Sequence, residues 1–201
     1  YREQLLEIAA LDLTSGDPLV SLPETAAALA DLAQAALEAA LVIARDEVGA
    51  DAGRTRLAVI AMGKTGGREL NYISDVDVIF VAEPADGVPE DESTAIATDL
   101  ATRLMRICSA STATGALWQV DPALRPEGKN GPLVRTVASH RSYYERWAKT
   151  WEFQALLKAR PVAGDAEVGQ AYCDAVQPMV WQASTRENFV ADVQAMRRRV
   201  E

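Results

Sequence analysis

Histidine and cysteine are nearly missing from this 201-residue chain, which carries one histidine and two cysteines. Cys108 and Cys173 stand far apart and match no metal-ligand or disulfide spacing. Cys108 falls at an apolar helical position, which reads as a reduced core thiol. The one histidine, His140, lies among tyrosines in a predicted helix and reads as a surface or packing residue rather than an acid/base. Basic charge is also scarce: 20 Lys and Arg face 29 Asp and Glu, for a net charge of −9. That balance excludes broad, non-specific nucleic-acid binding, which needs a basic surface. No apolar run approaches membrane-spanning length, so no membrane partner is expected. No targeting segment is present, and together with the unpaired cysteines this points to the cytoplasm. The chain opens at Tyr1 without an initiator methionine and closes inside the charged run "AMRRRVE"; it reads as a piece of a longer protein.

What is present is ordinary globular composition, 49% hydrophobic and 24% charged, in a chain long enough to bury a core. Residues 1–50 read as helical. Leu5, Ile8 and Ala9 share one face, "TSGDP" stops the first helix, and Ser21 with Glu24 has the spacing of a capping box opening the second, with Pro23 in its first turn. Leu37, Leu41, Ala44 and Val48 form a helical stripe. The pattern changes at Arg56. "RLAVIAM" and "DVDVIFVAE" are short apolar runs of the buried-strand kind. "ADGVPEDES" reads as a polar loop. Ile96, Leu100, Leu104, Ile107 and Cys108 mark an amphipathic helix. "GALWQVD" is a third strand candidate, followed by a Pro/Gly-rich loop and a short strand at "PLVRT". From residue 138 onward the chain reads as helices, first an aromatic-rich segment that suits a core, then bundle helices ending in the basic run Arg197 to Arg199. The expected division is therefore N-terminal helices over 1–50, an α+β core over 51–137 and a C-terminal helical region over 138–201.

Chemistry concentrates in "GKTGGRELNYISDVD". On a strand, residues i and i+2 share a face, so Asp75 and Asp77 project side by side while Val76, Val78 and Phe80 face the other way. Two close carboxylates repel, and burying them unpaired is costly. One solution is a solvated strand end where both cap backbone N–H groups. The other is a divalent cation, since Mg²⁺ takes hard oxygen ligands from carboxylates and substrate phosphates. Asp121, at the end of another strand candidate, would complete a two-metal arrangement. Arg125, Lys129, Lys158 and Arg160 are candidate phosphate partners. "GKT" is not the tail of a P-loop, because the position five before Gly63 is Ala58, inside the strand. Glycines 63, 66 and 67 instead leave backbone open to a close ligand.

The long combination G-K-x-G-G-x-E-L-N-Y-x-S-D-x-D-x-I-F, then V-D-x-x-L-R-P-x-G-x-x-G-P-L-V, then W-E-x-x-A-L-x-K-A-R resembles the glutamine synthetase adenylyltransferase/deadenylase family, from about Leu57 to Asp165. "YYERWAKTWEFQALLKAR" has an actinobacterial flavour. The resemblance implies a nucleotidyltransferase fold of the DNA polymerase beta-like kind, a small mixed sheet with flanking N-terminal helices and a C-terminal helical bundle. It implies Mg²⁺, with Mn²⁺ able to substitute, on Asp75, Asp77 and Asp121. It matches Gly63, Lys64 and Ser74 to the nucleotide-side loop. Partners so implied are glutamine synthetase as protein substrate, phosphate, ADP or ATP, and a PII-type signalling protein. Asn71 and Gly131-Pro132 look like the half of the family that removes AMP from an adenylylated tyrosine by phosphorolysis. The alternatives are the half that attaches AMP from ATP, and a non-catalytic nucleotide-sensing domain. One departure stands out: Ala123 occupies the place of the first arginine in the family's V-D-x-R-L-R-P.

Overall fold

A computed structural model describes residues 1–113, 115–185 and 187–200, with the side chains of Arg199 and Val200 outside the described set. Two antiparallel strands form its centre, β1 (Thr55–Ala61) and β2 (Val76–Pro84), paired from Thr55↔Pro84 to Ala61↔Val78. Both are Val/Ile/Ala runs that alternate between two packed faces, so neither face is polar until the strand ends. β3 (Val120–Asp121) and β4 (Val134–Arg135) both run parallel to β2 along its outer edge. β5 (Arg160–Gly164) lies antiparallel on the far side of β1, so the order is β3-β2-β1-β5 with β4 beside β2.

Helices cover both faces. On one side α1 (Arg2–Thr14), α2 (Pro18–Val48) and α4 (Glu90–Ser109) cover Leu57, Val59, Val76, Val78 and Phe80. The sequence-read stripe of α2 is there, with Leu37, Leu41 and Ala44 buried; so is that of α4, with Leu100, Leu104 and Cys108 buried. On the other side α5 (Val137–Arg146), α6 (Thr150–Leu156) and α7 (Ala166–Ala183) cover Ala58, Ile60, Ile79 and Val81 with Tyr144, Phe153, Leu156, Val168 and Tyr172. A four-residue turn of helix, α3 (Gly63–Gly66), follows β1, and α8 (Phe189–Val200) ends the described chain against α6.

Several sequence expectations change. The second helix starts at Pro18, not Ser21: Asp17 accepts from the Leu19 N–H at 2.9 Å, and Pro at the first helical position needs no donor. Pro23 therefore sits inside the helix. Only Val120 and Asp121 of "GALWQVD" pair as strand. The polar loop is shorter than read, because Glu90, Asp91 and Glu92 already form the first turn of α4, where acids complement the helix dipole. Residues 160–164, read as helical, form β5; its Pro161 is tolerated because β5 is an edge strand. The C-terminal helices do not form a separate bundle: α5, α6 and α7 make a layer on the sheet. Against the sequence expectation, α2 and the turn after it, Pro18–Arg54, are long and apolar enough by composition to cross a membrane. The helix is alanine-rich, and its apolar stripe packs on α4 and the sheet.

His140 is a packing residue, fully buried beneath α7. Its Nδ1 lies 3.1 Å from the Thr136 carbonyl, and its ring meets Tyr172 edge-on at 5.1 Å. Burial, against the Thr136 bond, pushes its pKa down to about 4. The folded value lies below the unfolded one, so the stability this group confers is full above about pH 6.5 and is lost as pH falls through 4. Denaturant titrations of the wild type and His140→Phe between pH 7 and pH 4 should diverge by about 2–3 kcal/mol, with the variant less acid-sensitive. Parallel curves would show that the imidazole is not held neutral.

Candidate active site

The acidic end of β2 is where the sheet stops being covered. Asp77 lies on the same face as Ile79 and Val81, and the parallel register of β2 with β3 sets it directly beside Asp121. Asp75, exposed, precedes the strand by one residue. Ligand oxygens from Asp75, Asp77 and Asp121 all lie within 4.8 Å of one another. The side-by-side projection read from D-x-D is thus present, and the third acid joins it.

Half-buried Asp77 is the strained member. Burial first, then the charges of Asp75 and Asp121, raise its pKa to about 6, and only Lys64 opposes them. Three carboxylates held this close match the donor chemistry of a divalent cation with hard oxygen ligands. The backbone comes close on the same side. Gly63 has φ +51°, and a Cβ there would sit 2.6 Å from Asp77 Oδ2, so α3 presses its first residue against the carboxylate. Asp121 Oδ1 accepts from the Ala123 N–H at 2.8 Å. This is a main-chain contact, which any residue but proline at position 123 can supply.

The other sequence-selected residues divide. Lys64 is exposed and close enough to act on Asp77. Ser74, half-buried, immediately precedes Asp75, and its N–H donates to the Asn71 carbonyl at 3.4 Å. Lys129 is exposed in the short 3-10 turn Gly128–Asn130. Arg160 does not point at the carboxylates: it donates to the Gly66 and Thr65 carbonyls at 3.2 Å and to Gln34 Oε1 of α2 at 2.7 Å, tying α3 to the sheet and to α2. Lys158 pairs with Glu69. Arg125 is buried and donates to the carbonyls of Pro122, Gly131 and Pro132, closing the loop that follows Asp121. Removing it takes the guanidinium donors from the Gly131 and Pro132 carbonyls, while that of Pro122 keeps the backbone N–H of residue 125. Arg125→Ala should therefore cost about 2–4 kcal/mol of stability, and Arg125→Lys, lacking the planar fork, should restore little. Urea unfolding of both variants checks this; a near-neutral Arg125→Ala would rule out the clamp.

Gln34 and Glu69 are positioning partners that the sequence did not single out, because nothing local marks a polar residue 126 positions from its arginine. Thr65 is fully buried, and among the described residues its Oγ1 has no hydrogen-bond partner.

Comparison with known proteins is consistent across the chain. Residues 1–175 match the family model described as glutamate-ammonia ligase adenylyltransferase. The chain is 62% identical over 200 residues to a bifunctional glutamine synthetase adenylyltransferase/adenylyl-removing enzyme of Streptomyces avermitilis, covering 100% of this chain and 20% of that one. Its counterpart in Streptomyces coelicolor is 63% identical over 203 residues, again 100% of this chain and 20% of the relative. That of Cutibacterium acnes is 55% identical over 200 residues, 99% of this chain and 20% of the relative. These relatives are actinobacterial, in line with the sequence reading. The chain spans about a fifth of the length of the curated relatives it matches.

Proposed function

Since the chain belongs to the glutamate-ammonia ligase adenylyltransferase family of nucleotidyltransferases, we propose that it is the domain that removes AMP from an adenylylated tyrosine of glutamine synthetase by phosphorolysis. We read the fold as polymerase beta-like and its location as cytoplasmic, where phosphate and nucleotides are supplied. The observation that carries the reading is the convergence of Asp75, Asp77 and Asp121 beside the glycine-opened turn at Gly63. The direction of reaction rests on Asn71 and Gly131-Pro132, which resemble the deadenylylating half.

In this reading the three carboxylates would hold Mg²⁺, which Mn²⁺ could replace, and the cation would supply positive charge for the phosphates and for the departing tyrosine oxygen. Inorganic phosphate attacks the α-phosphorus of the tyrosyl-AMP ester, the bond from phosphorus to the tyrosine oxygen breaks, and ADP is formed. The tyrosine oxygen then takes its proton from solvent. Phosphate arrives as an anion, so the chain needs no general base, and His140 is buried far too completely to serve as one. Lys64 and the start of α3 at Gly63 face the phosphates, while Gly66 and Gly67, read from the sequence as open backbone, are packed against Lys158 with their N–H groups bonded to Met62 and Gly63. Asp121 is held in place by the Ala123 N–H, and Arg160 braces α3 from behind. The work of the protein is positioning and electrostatics.

The test is to incubate adenylylated glutamine synthetase with the protein, Mg²⁺ and phosphate. ADP release that disappears in Asp77→Ala supports the proposal. AMP incorporation from ATP into unmodified synthetase would assign the attaching activity instead. Nucleotide binding with neither activity would make it a sensing domain.

A further inference from the structure

The segment between α3 and β2 is held at several points, yet it thrusts a bare aliphatic side chain into water. Leu70 is buried in the core. The Tyr72 hydroxyl donates to Asp12 Oδ2 of α1 at 2.9 Å, and Asp12 Oδ1 accepts from Thr25 of α2 at 3.2 Å. Asn71 Oδ1 accepts from the Ile73 N–H at 3.3 Å, a turn that fixes where Ile73 points. The result is an Ile73 that is 97% exposed, two residues before Asp75. Tyr72 is 43% exposed beside it. The turn of α1 that anchors Tyr72 exposes Leu11 and Leu13 on either side of Asp12. Scattered surface aliphatics need no explanation, but an ordered apolar rim adjoining a reactive centre is the usual form of a binding surface.

From this rim we infer a docking site for the protein part of the substrate, with Ile73 at its centre and Tyr72 beside it. The inference rests on the reading above and deepens it. There the reacting group is the ester of a tyrosine that belongs to another folded protein. Its phosphorus must reach the oxygens of Asp75, Asp77 and Asp121, while the residues flanking the tyrosine remain outside the cleft. Those residues must then lie against whatever borders the carboxylates, and Tyr72–Ile73 runs directly into Asp75. The occupant is the chain segment flanking the modified tyrosine of glutamine synthetase, meeting Ile73 with apolar side chains. Binding energy gathered there, away from the reacting atoms, orients the ester for attack. The rigid anchoring through Asp12 lowers the ordering cost of such a contact.

The experiment uses the full-length enzyme that carries this chain. An Ile73→Cys variant is treated with a thiol reagent and followed by mass spectrometry of the labelled peptide, with and without adenylylated glutamine synthetase. Fast labelling in the free enzyme, slowed about tenfold or more by the adenylylated synthetase, is expected. In parallel, Ile73→Ser should raise KM for adenylylated synthetase about tenfold with kcat within about twofold, the scale of a central interface side chain. Slow labelling in the free enzyme would mean that another part of the longer chain covers Ile73, and would overturn the inference. Fast labelling without protection, or an unchanged KM, would also overturn it. If Asp77→Ala in the full-length enzyme left ADP release from adenylylated synthetase intact, the functional reading would fail first, a separate result.

Discussion

Asp77→Asn should abolish activity and at the same time make the metal-free protein more stable at neutral pH. Asp77 has its pKa raised to about 6, by burial first and then by Asp75 and Asp121. The folded state therefore holds this proton more tightly than the unfolded chain. The favourable contribution is fully present below about pH 4 and is lost as pH rises through 6. At pH 7.5 the ionised carboxylate is a liability that folding elsewhere must offset. The shift corresponds to roughly 3 kcal/mol at face value; partial solvent screening brings the expected gain for Asp77→Asn to about 1–2 kcal/mol. Chemical denaturation in EDTA at pH 7.5 measures it, and the gain should shrink toward pH 4. Adding Mg²⁺ at 100 times its Kd should stabilise the wild type by about 2.7 kcal/mol and the variant much less. Activity should drop by about 10²–10³ or more, the scale of removing one electrostatic stabiliser from a transition state. A variant less stable than wild type in EDTA, or one equally stabilised by Mg²⁺, would sink the view of this cluster as a strained cation platform.

Gly66→Ala should produce the largest loss of stability among the glycine substitutions around α3. An added Cβ would sit 2.0 Å from the Lys158 carbonyl oxygen and 2.7 Å from that of Ala61. Both are backbone atoms, one at the end of β1 and one just before β5, so no side chain can swing aside. The strands must part, and the bond from Arg160 to the Gly66 carbonyl goes with them. Overpacking against backbone costs about 3 kcal/mol or more. Gly53→Ala is the matched control, because nothing lies within 4 Å of its added Cβ. It should stay within about 0.5 kcal/mol of wild type. Gly63→Ala makes an informative third point. Its new methyl meets the movable carboxylate of Asp77, so catalysis should suffer more than folding. Thermal melts of the three variants decide; a Gly66→Ala protein as stable as Gly53→Ala would mean the close approach of Lys158 is not real in solution.

The sequence by itself determined what depends on near neighbours along the chain. The 3.6-residue spacing of Leu100, Leu104 and Cys108 made α4 legible, and the apolar runs gave β1 and β2. The i, i+2 spacing of Asp75 and Asp77 at the mouth of a strand pointed to paired carboxylates, and they do lie together although Asp75 stands one residue before β2. The long spaced motif carried the family. What the tertiary structure decided is everything set by partners far away in the chain. Arg160–Gly164, with its proline and glycine, carries almost no strand signal; it becomes β5 because β1 offers an unpaired edge. Asp121 reaches Asp77 only through the parallel register of β2 and β3, which long-range packing fixes. Arg125 and Arg160 looked like phosphate ligands by charge alone. They are braces in the fold because backbone carbonyls of distant or looped segments take up their N–H groups. A long cationic side chain can reach in many directions, and only the surrounding acceptors choose among them.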